Sequence, residues 1–409
     1  MKKIINVLIV LQLFINIFSE YLYSVNQSLG YIFYMTDILN VIIFFIICVG
    51  SIYLKKLYNV RFTKRNIFAF IFVCFCLFSF LWGNASIFSA VLRLRYILGG
   101  LFFYFVCNNF LNDKTYTFVI NSMFIVQYIN LALCFYQNQI MGLHPDFCNG
   151  VFGYVGYANG IEGTFCLILS LIAVVYYLNK QWSLIKSLVL LAPSAIICAI
   201  AEIKIYFVIF FLCGVLVILI QERNFKEQLR LVVMLGVVVL LFFFSYKIIE
   251  FILPNNLSTF FSIQKSLNYE HRTTYAGRTN TIPFIYENVF HDNFFHSLFG
   301  KGMGTLNKEF IYELGRTFSE EGFIGVSLLY LFLLINFLSS VFNRSTVSSE
   351  KLFVSTYSFG LMISIVVWNA FFTRTTYVVF FFLGIEYVKY LKRSYQNSEN
   401  RRIRNNSSL

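Results

Sequence analysis

Charge is what this sequence has least of. Only 12% of its 409 residues are Asp, Glu, Lys or Arg, where a soluble domain carries roughly 25%. So few charges cannot cover the surface of a soluble globular enzyme of this length, and that class is excluded. Disorder is excluded as well, because aromatic residues alone make up 20% of the chain. Acidic residues are scarcer than basic ones, 19 against 32, which leaves a net charge of +13. Histidine is rarer still, with four copies. No Asp-x-Asp pair occurs to hold a metal-bound nucleotide. Of the nine cysteines, eight fall inside apolar stretches and only Cys148 in a polar one, so no disulfide framework is legible.

What the chain has instead is apolar length. The hydrophobic residues are 58% of the total, about 237 positions, and twelve membrane helices of about 20 residues would use about 240. Apolar runs lie near 4–19, 38–54, 67–82, 96–111, 117–136, 161–178, 184–201, 203–220, 230–253, 321–342, 352–372 and 375–391. The pattern predicts an all-α polytopic membrane protein with about 12 transmembrane helices. Residues 1–392 form one integral membrane domain, and the polar stretch 393–409 reads as a disordered cytoplasmic tail. The first run follows Lys2 and Lys3 as in a signal peptide, but it ends at Phe18-Ser19-Glu20-Tyr21 without a small-x-small site. We therefore read it as an uncleaved first helix. With the N-terminus inside, 21 basic residues fall on the inner side and 11 on the outer. That asymmetry predicts both termini in the cytoplasm. The basic excess then reflects topology and contact with anionic membrane lipids, not a nucleic-acid groove.

Two predicted outer loops are longer than simple connections, 137–160 and 254–320, the second between spans nine and ten. All four histidines, His144, His271, His291 and His296, fall in them, and imidazole suits proton transfer near neutral pH. In the longer loop Pro283 can open a helix. From there Ile285, Val289, Phe295 and Phe299 recur near helical spacing, predicting an amphipathic helix at the membrane interface. Gly300, Gly302 and Gly304 surround Lys301 in a turn that either exposes amides to a phosphate or serves as a flexible re-entry. The string His291-Asp-Asn-Phe-Phe-His296 places its two rings on different helix faces, a poor zinc site. No metal and no cofactor is expected.

Other charges stand where they are costly unless used. Arg93 and Arg95 precede the fourth apolar run, Glu202 and Lys204 sit between the seventh and eighth, and Arg374 between the eleventh and twelfth. Together with Arg278 these cations gather on the outer face, against the topological trend, and point to a local anion. A diphosphate fits, because guanidinium grips phosphate bidentately and charges at membrane depth usually line a cavity.

The arrangement resembles the Wzy-type O-antigen and capsular polysaccharide polymerases, within the O-antigen polymerase/ligase superfamily. The likeness is carried by twelve spans, the long outer loop before the tenth, Gly277-Arg278, the glycine turn at 300–304 and Glu320-Glu-Gly-Phe-Ile-Gly325. Phe152–Gly163 ahead of the sixth span and Ala201–Phe207 ahead of the eighth add to it. The resemblance implies a GT-C-like fold. It also implies that Lys204 and Arg278 bind the diphosphate of a polyprenyl-linked glycan, with Arg93, Arg95 and Arg374 as further candidates. The implied reaction is metal-independent glycosyl transfer between undecaprenyl-diphosphate-linked donor and acceptor glycans at the bacterial cytoplasmic (inner) membrane. Chain-length regulator and flippase are the implied protein partners. Candidates to orient or deprotonate the acceptor hydroxyl are His291, Glu320 and Glu309. Ligases of the superfamily carry a histidine in the stretch that here reads Lys308–Glu313, with none, which favours polymerase over O-antigen ligase. A lipid-linked oligosaccharide flippase or other transporter is the alternative outside the enzymes. It would show internal symmetry and ionisable groups deep in the spans.

Overall fold

The computed structural model describes residues 1–53, 63–154, 158–220, 280–305, 312–341, 348–368 and 371–387, with Leu229 and Gly236 as isolated positions. Among these the structure is all-helical. The long helices are α1 (Lys2–Val25), α2 (Ile32–Tyr53), α3 (Lys64–Ser79), α4 (Ile87–Phe110), α5 (Asp113–Phe135), α6 (Asn159–Leu178), α7 (Leu184–Ile200) and α8 (Lys204–Ile220). Two short pieces follow, α9 (Thr281–Phe284) and α10 (Phe294–Phe299), then α11 (Glu313–Val341), α12 (Ser349–Val367) and α13 (Thr376–Leu383). Seven of the described helices have the length and apolar composition to cross a membrane, and α7 and α8 are shorter apolar helices. Helix length and hydropathy thus make the chain a multi-pass integral membrane protein. The ninth apolar run, 230–253, lies outside the described residues apart from Gly236, as does the tail 393–409.

Helix starts are written in small polar residues. Thr63, Ser86, Asn112, Ser183 and Ser348 each accept a hydrogen bond from the amide three residues on, satisfying a donor that the first turn leaves open. The burial pattern sorts the helices by depth. In α6, 94% of the apolar window is buried, against 22% in α2. α6 is therefore the centre of the bundle, packed on α7, α8 and α12, while α2 is a peripheral helix held by α1. α11 packs on α12 and α3, and α13 on α4.

Side-chain bonds define two ends of the bundle. At one, Asn6 donates to Phe110 O at 2.9 Å and Tyr176 donates to Glu350 at 3.0 Å. At the other, Asn16 donates to Arg374 O at 2.6 Å and the Tyr154 hydroxyl donates to Ser24 O. The second end collects the α1–α2, α3–α4, α5–α6 and α12–α13 connections with the segment 280–305.

Three expectations change here. The fourth helix begins at Ile87, well before its apolar run, because Ser86 caps it; Arg93 and Arg95 lie inside the helix, not ahead of it. The loop expected to reach residue 320 ends by Tyr312, since α11 starts at Glu313 and only breaks at Gly322, where φ is 66°. The amphipathic helix expected from Pro283 is not continuous. α9 passes into a π-helical turn, Ile285–Val289, and the chain then reverses at His291 and Asp292, with φ of 51° and 58°. Asn293 caps a new start by accepting from the amides of Phe295 and His296.

Candidate active site: a buried arginine and glutamate cluster at one bundle end

Residues two apart on a helix face nearly opposite ways, because each residue turns it by about 100°. Arg93 and Arg95 are so divided, and each meets its own acids. Arg93 is 1% exposed. Its Nη2 donates to Glu313 at 2.6 Å, its Nε to Glu320 at 2.8 Å and its Nη1 to Phe372 O at 3.2 Å. Glu313 accepts in turn from the Phe372 amide at 3.3 Å and lies 3.5 Å from the Thr317 hydroxyl, which donates to it. Glu320 accepts from the Gly304 amide at 3.1 Å and has Arg316 Nε at 3.7 Å. Glu321 is fully buried beside Cys76. Two carboxylates therefore share two guanidiniums, and Arg93 ties α4 to α11, to the α12–α13 connection and, through Glu320, to the glycine turn.

The glycine turn serves this cluster, and its amides do not face an open site. The Lys301 amide donates to Ser319 O at 2.8 Å, the Gly302 amide to Glu320 O at 2.9 Å and the Gly304 amide to the Glu320 side chain. Gly300, Gly302, Gly304 and Gly322 all have positive φ, between 66° and 95°. A Cβ on Gly302 would lie 2.3 Å from Gly83 Cα, and one on Gly300 2.2 Å from Glu320 O. Only glycine combines that backbone with that approach. The turn, read from sequence as either a phosphate cradle or a flexible re-entry, is a backbone seam between the α3–α4 connection and the break in α11.

Arg95 and Arg374 meet at a second, more open cluster. Arg95 Nε lies 2.6 Å from Asp37 and its Nη2 donates to Phe33 O at 2.7 Å, with the guanidinium over the Tyr34 ring. Arg374 stacks on the Phe33 ring at 4.5 Å and lies 3.7 Å from Glu20, with 46% of its side chain exposed. Asp37 is steadied from below: Gln12 donates to Asn40, Asn40 to the Tyr377 hydroxyl, and Tyr377 to Asp37. Of the five expected diphosphate ligands, this pair is the one brought together with cationic surface still open. Arg278 and the candidate base Glu309 lie outside the described residues.

Lys204 opens α8, directly after the tight turn that carries Glu202 at φ 52°. Burial pushes the Glu202 carboxyl above its usual range. Lys204 opposes that rise, Asp146 adds to it and His144 opposes it, which also places the 144–146 loop beside this turn. A carboxyl raised by burial favours folding while protonated. That contribution is full below the ordinary value of 4.5 and is lost as pH climbs through the raised one. Glu202→Gln should therefore raise the melting temperature in detergent by roughly 1–3 °C near pH 8 and hardly at all near pH 5. An equal gain at both would show that charge is not the cause.

His291 is exposed at its reversed turn, while its neighbour Phe290 is 1% exposed and packs on Phe318 of α11 at 5.2 Å. The structure thus anchors His291 to the same helix as Glu320 without bringing the two into contact. His296 lies 3.3 Å from Gly300 O. Among the described residues no group of three His, Cys, Asp or Glu side chains is disposed around a common metal position.

No protein-family profile, curated protein or solved structure matches the chain. Glu313 and Arg316 went unnoticed in the sequence, although Glu313, Arg316 and Glu320 stand at i, i+3 and i+7 on one helical face. Glu20 and Asp37, the acids facing Arg374 and Arg95, left no sequence signal beyond their place near span ends. Glu320, fully buried, accepts from Arg93 and the Gly304 amide at its carboxylate and from the Gly302 amide at its carbonyl, and so is built to hold the segment 300–304 and Arg93 in place. Arg374 and His291 are exposed at the same end, and Arg95 and Lys204 are partly exposed there, so a ligand can reach all four.

Proposed function

We propose that this chain polymerises lipid-linked oligosaccharide repeat units by glycosyl transfer at the outer face of the bacterial cytoplasmic membrane. Undecaprenyl diphosphate leaves, and O-antigen or capsular polysaccharide grows. The observation that supports the reading best is the collection of Arg95, Arg374, Lys204 and His291 at the bundle end organised by the Arg93 cluster. Cations near the membrane boundary suit a diphosphate on a lipid, whose charge rises as the glycosidic bond breaks. In this reading Arg95, Arg374, Lys204 and Arg278 hold the leaving group. His291 takes the proton of the acceptor hydroxyl, and Arg93 and Glu320 are positioning residues. Much of the rate would come from holding two lipid-bound glycans in one cleft. The reading also carries twelve spans with both termini cytoplasmic.

Glycan ladders test it. The host gene is deleted and complemented with wild type, Arg374→Ala, Lys204→Ala, Arg278→Ala or His291→Ala, each checked for membrane expression. Deletion should leave single repeat units. Arg278→Ala and Lys204→Ala should fail to restore the ladder, and Arg374→Ala should shorten it. Full-length polymer that stays lipid-linked would mean a ligase. Repeat units held on the inner face would mean a flippase, and an unchanged ladder would end the proposal.

A further inference from the structure

At the end of the bundle away from Arg93, the structure holds a cleft of about 1150 Å³ between α1 and the α4–α5 connection. Its rim carries Lys2, Lys3 and Lys114, with Asp113 beside them, and its wall is apolar. The order along each helix is the informative point. On α1, Lys3 is followed at helical spacing by Val7 and Leu11, which are 65% and 45% exposed. On α5, Lys114 is followed four residues on by Phe118, 56% exposed. Both helices thus place a cation at the end and an apolar stripe one turn deeper. That is the polarity of an amphiphile with an anionic head and a hydrocarbon tail. The rim is preformed: Asn6 donates to Phe110 O at 2.9 Å, and the Asn112 amide donates back to Asn6 Oδ1 at 3.0 Å.

We propose that this cleft is a binding site for an anionic phospholipid, with the phosphate between Lys3 and Lys114 and an acyl chain along Val7, Leu11 and Phe118. The occupant is a lipid and not a free anion, because the cleft exceeds the usual ligand-pocket range of about 300–1,000 Å³ and an inorganic phosphate would leave its apolar wall bare. The headgroup is anionic because three lysines face one aspartate, and each lysine near a lipid surface strengthens anionic binding about fivefold.

The test uses the full chain in neutral detergent, titrated with dioleoyl phosphatidylglycerol, dioleoyl phosphatidylcholine or inorganic phosphate, with melting temperature and native mass spectrometry as readouts. Phosphatidylglycerol should stabilise at lower concentration than phosphatidylcholine and be retained in the mass spectrometer. Lys3→Gln with Lys114→Gln should weaken it by about 25-fold, and Asp113→Asn should strengthen it. Leu11→Trp keeps every charge and fills the wall, so it should abolish phosphatidylglycerol retention. That variant decides the matter if the double lysine variant does not fold. Equal stabilisation by the two lipids, stabilisation by phosphate alone, or unchanged retention in Leu11→Trp would each overturn the proposal.

Discussion

Arg93→Met is expected to cost about 3–5 kcal/mol of stability, the loss found when one partner of a buried ion pair is removed. The reason lies in what stays behind. Glu313 loses a donor at 2.6 Å and Glu320 one at 2.8 Å, while both remain fully buried. Arg316, at 3.7 Å from Glu320, offsets only part of this, and the Phe372 carbonyl loses its Arg93 donor as well. Methionine is close to isosteric with the arginine stem, so the loss reports charge more than volume. The check is size-exclusion profile and melting temperature in detergent. A second variant makes the argument specific: adding Glu313→Gln and Glu320→Gln to Arg93→Met should recover a substantial part of the loss, because the buried charge is then gone from both sides. Wild-type melting of Arg93→Met alone would sink the account, and so would a triple variant worse than the single.

Gly302→Ala should be the second severe change, costing about 1–3 kcal/mol for backbone strain alone and more for the collision. Its new Cβ would meet Gly83 Cα at 2.3 Å and Ser79 O at 2.7 Å, both backbone atoms that no rotamer can move aside. Gly142→Ala is the control. Gly142 has φ of 65°, yet a Cβ there meets nothing within 4 Å, so it carries strain without contact. The difference in melting temperature between the two variants isolates the close approach. Equal losses would mean that residues 300–304 are not the tight seam that the geometry describes.

The bundle was legible because membrane helices announce themselves through composition. The span starts near Thr63, Asn112, Ser183 and Ser348 follow from ordinary capping. Arg93 and Arg95 were misplaced for an instructive reason. Hydropathy alone begins the fourth span after them, since it scores each arginine as exposed to lipid and cannot know that Glu313 and Asp37 will neutralise them. The glycine turn was visible as a motif but not as a purpose. Three glycines around a lysine read as an anion nest or a flexible re-entry, and only their partners, Ser319, Glu320 and Gly83, show a seam in place of either. His291 and Asp292 broke an apparent helix because the left-handed backbone they adopt is not written in an apolar repeat. Arg95 and Arg374 could be suspected singly. That they converge on Phe33 follows from how α2, α4 and α13 pack.

The contact between Arg93 and Glu313 spans 220 residues of sequence. At a ribosomal rate of about 5–20 residues per second, α4 is made roughly 11–44 s before its carboxylate partner exists. Through that interval the guanidinium must stay near the membrane surface or borrow another anion. α4 therefore cannot settle at its final depth until α11 has been synthesised. A nascent chain that ends before residue 313 leaves the Arg93 guanidinium without the two carboxylates that hold it in the finished bundle.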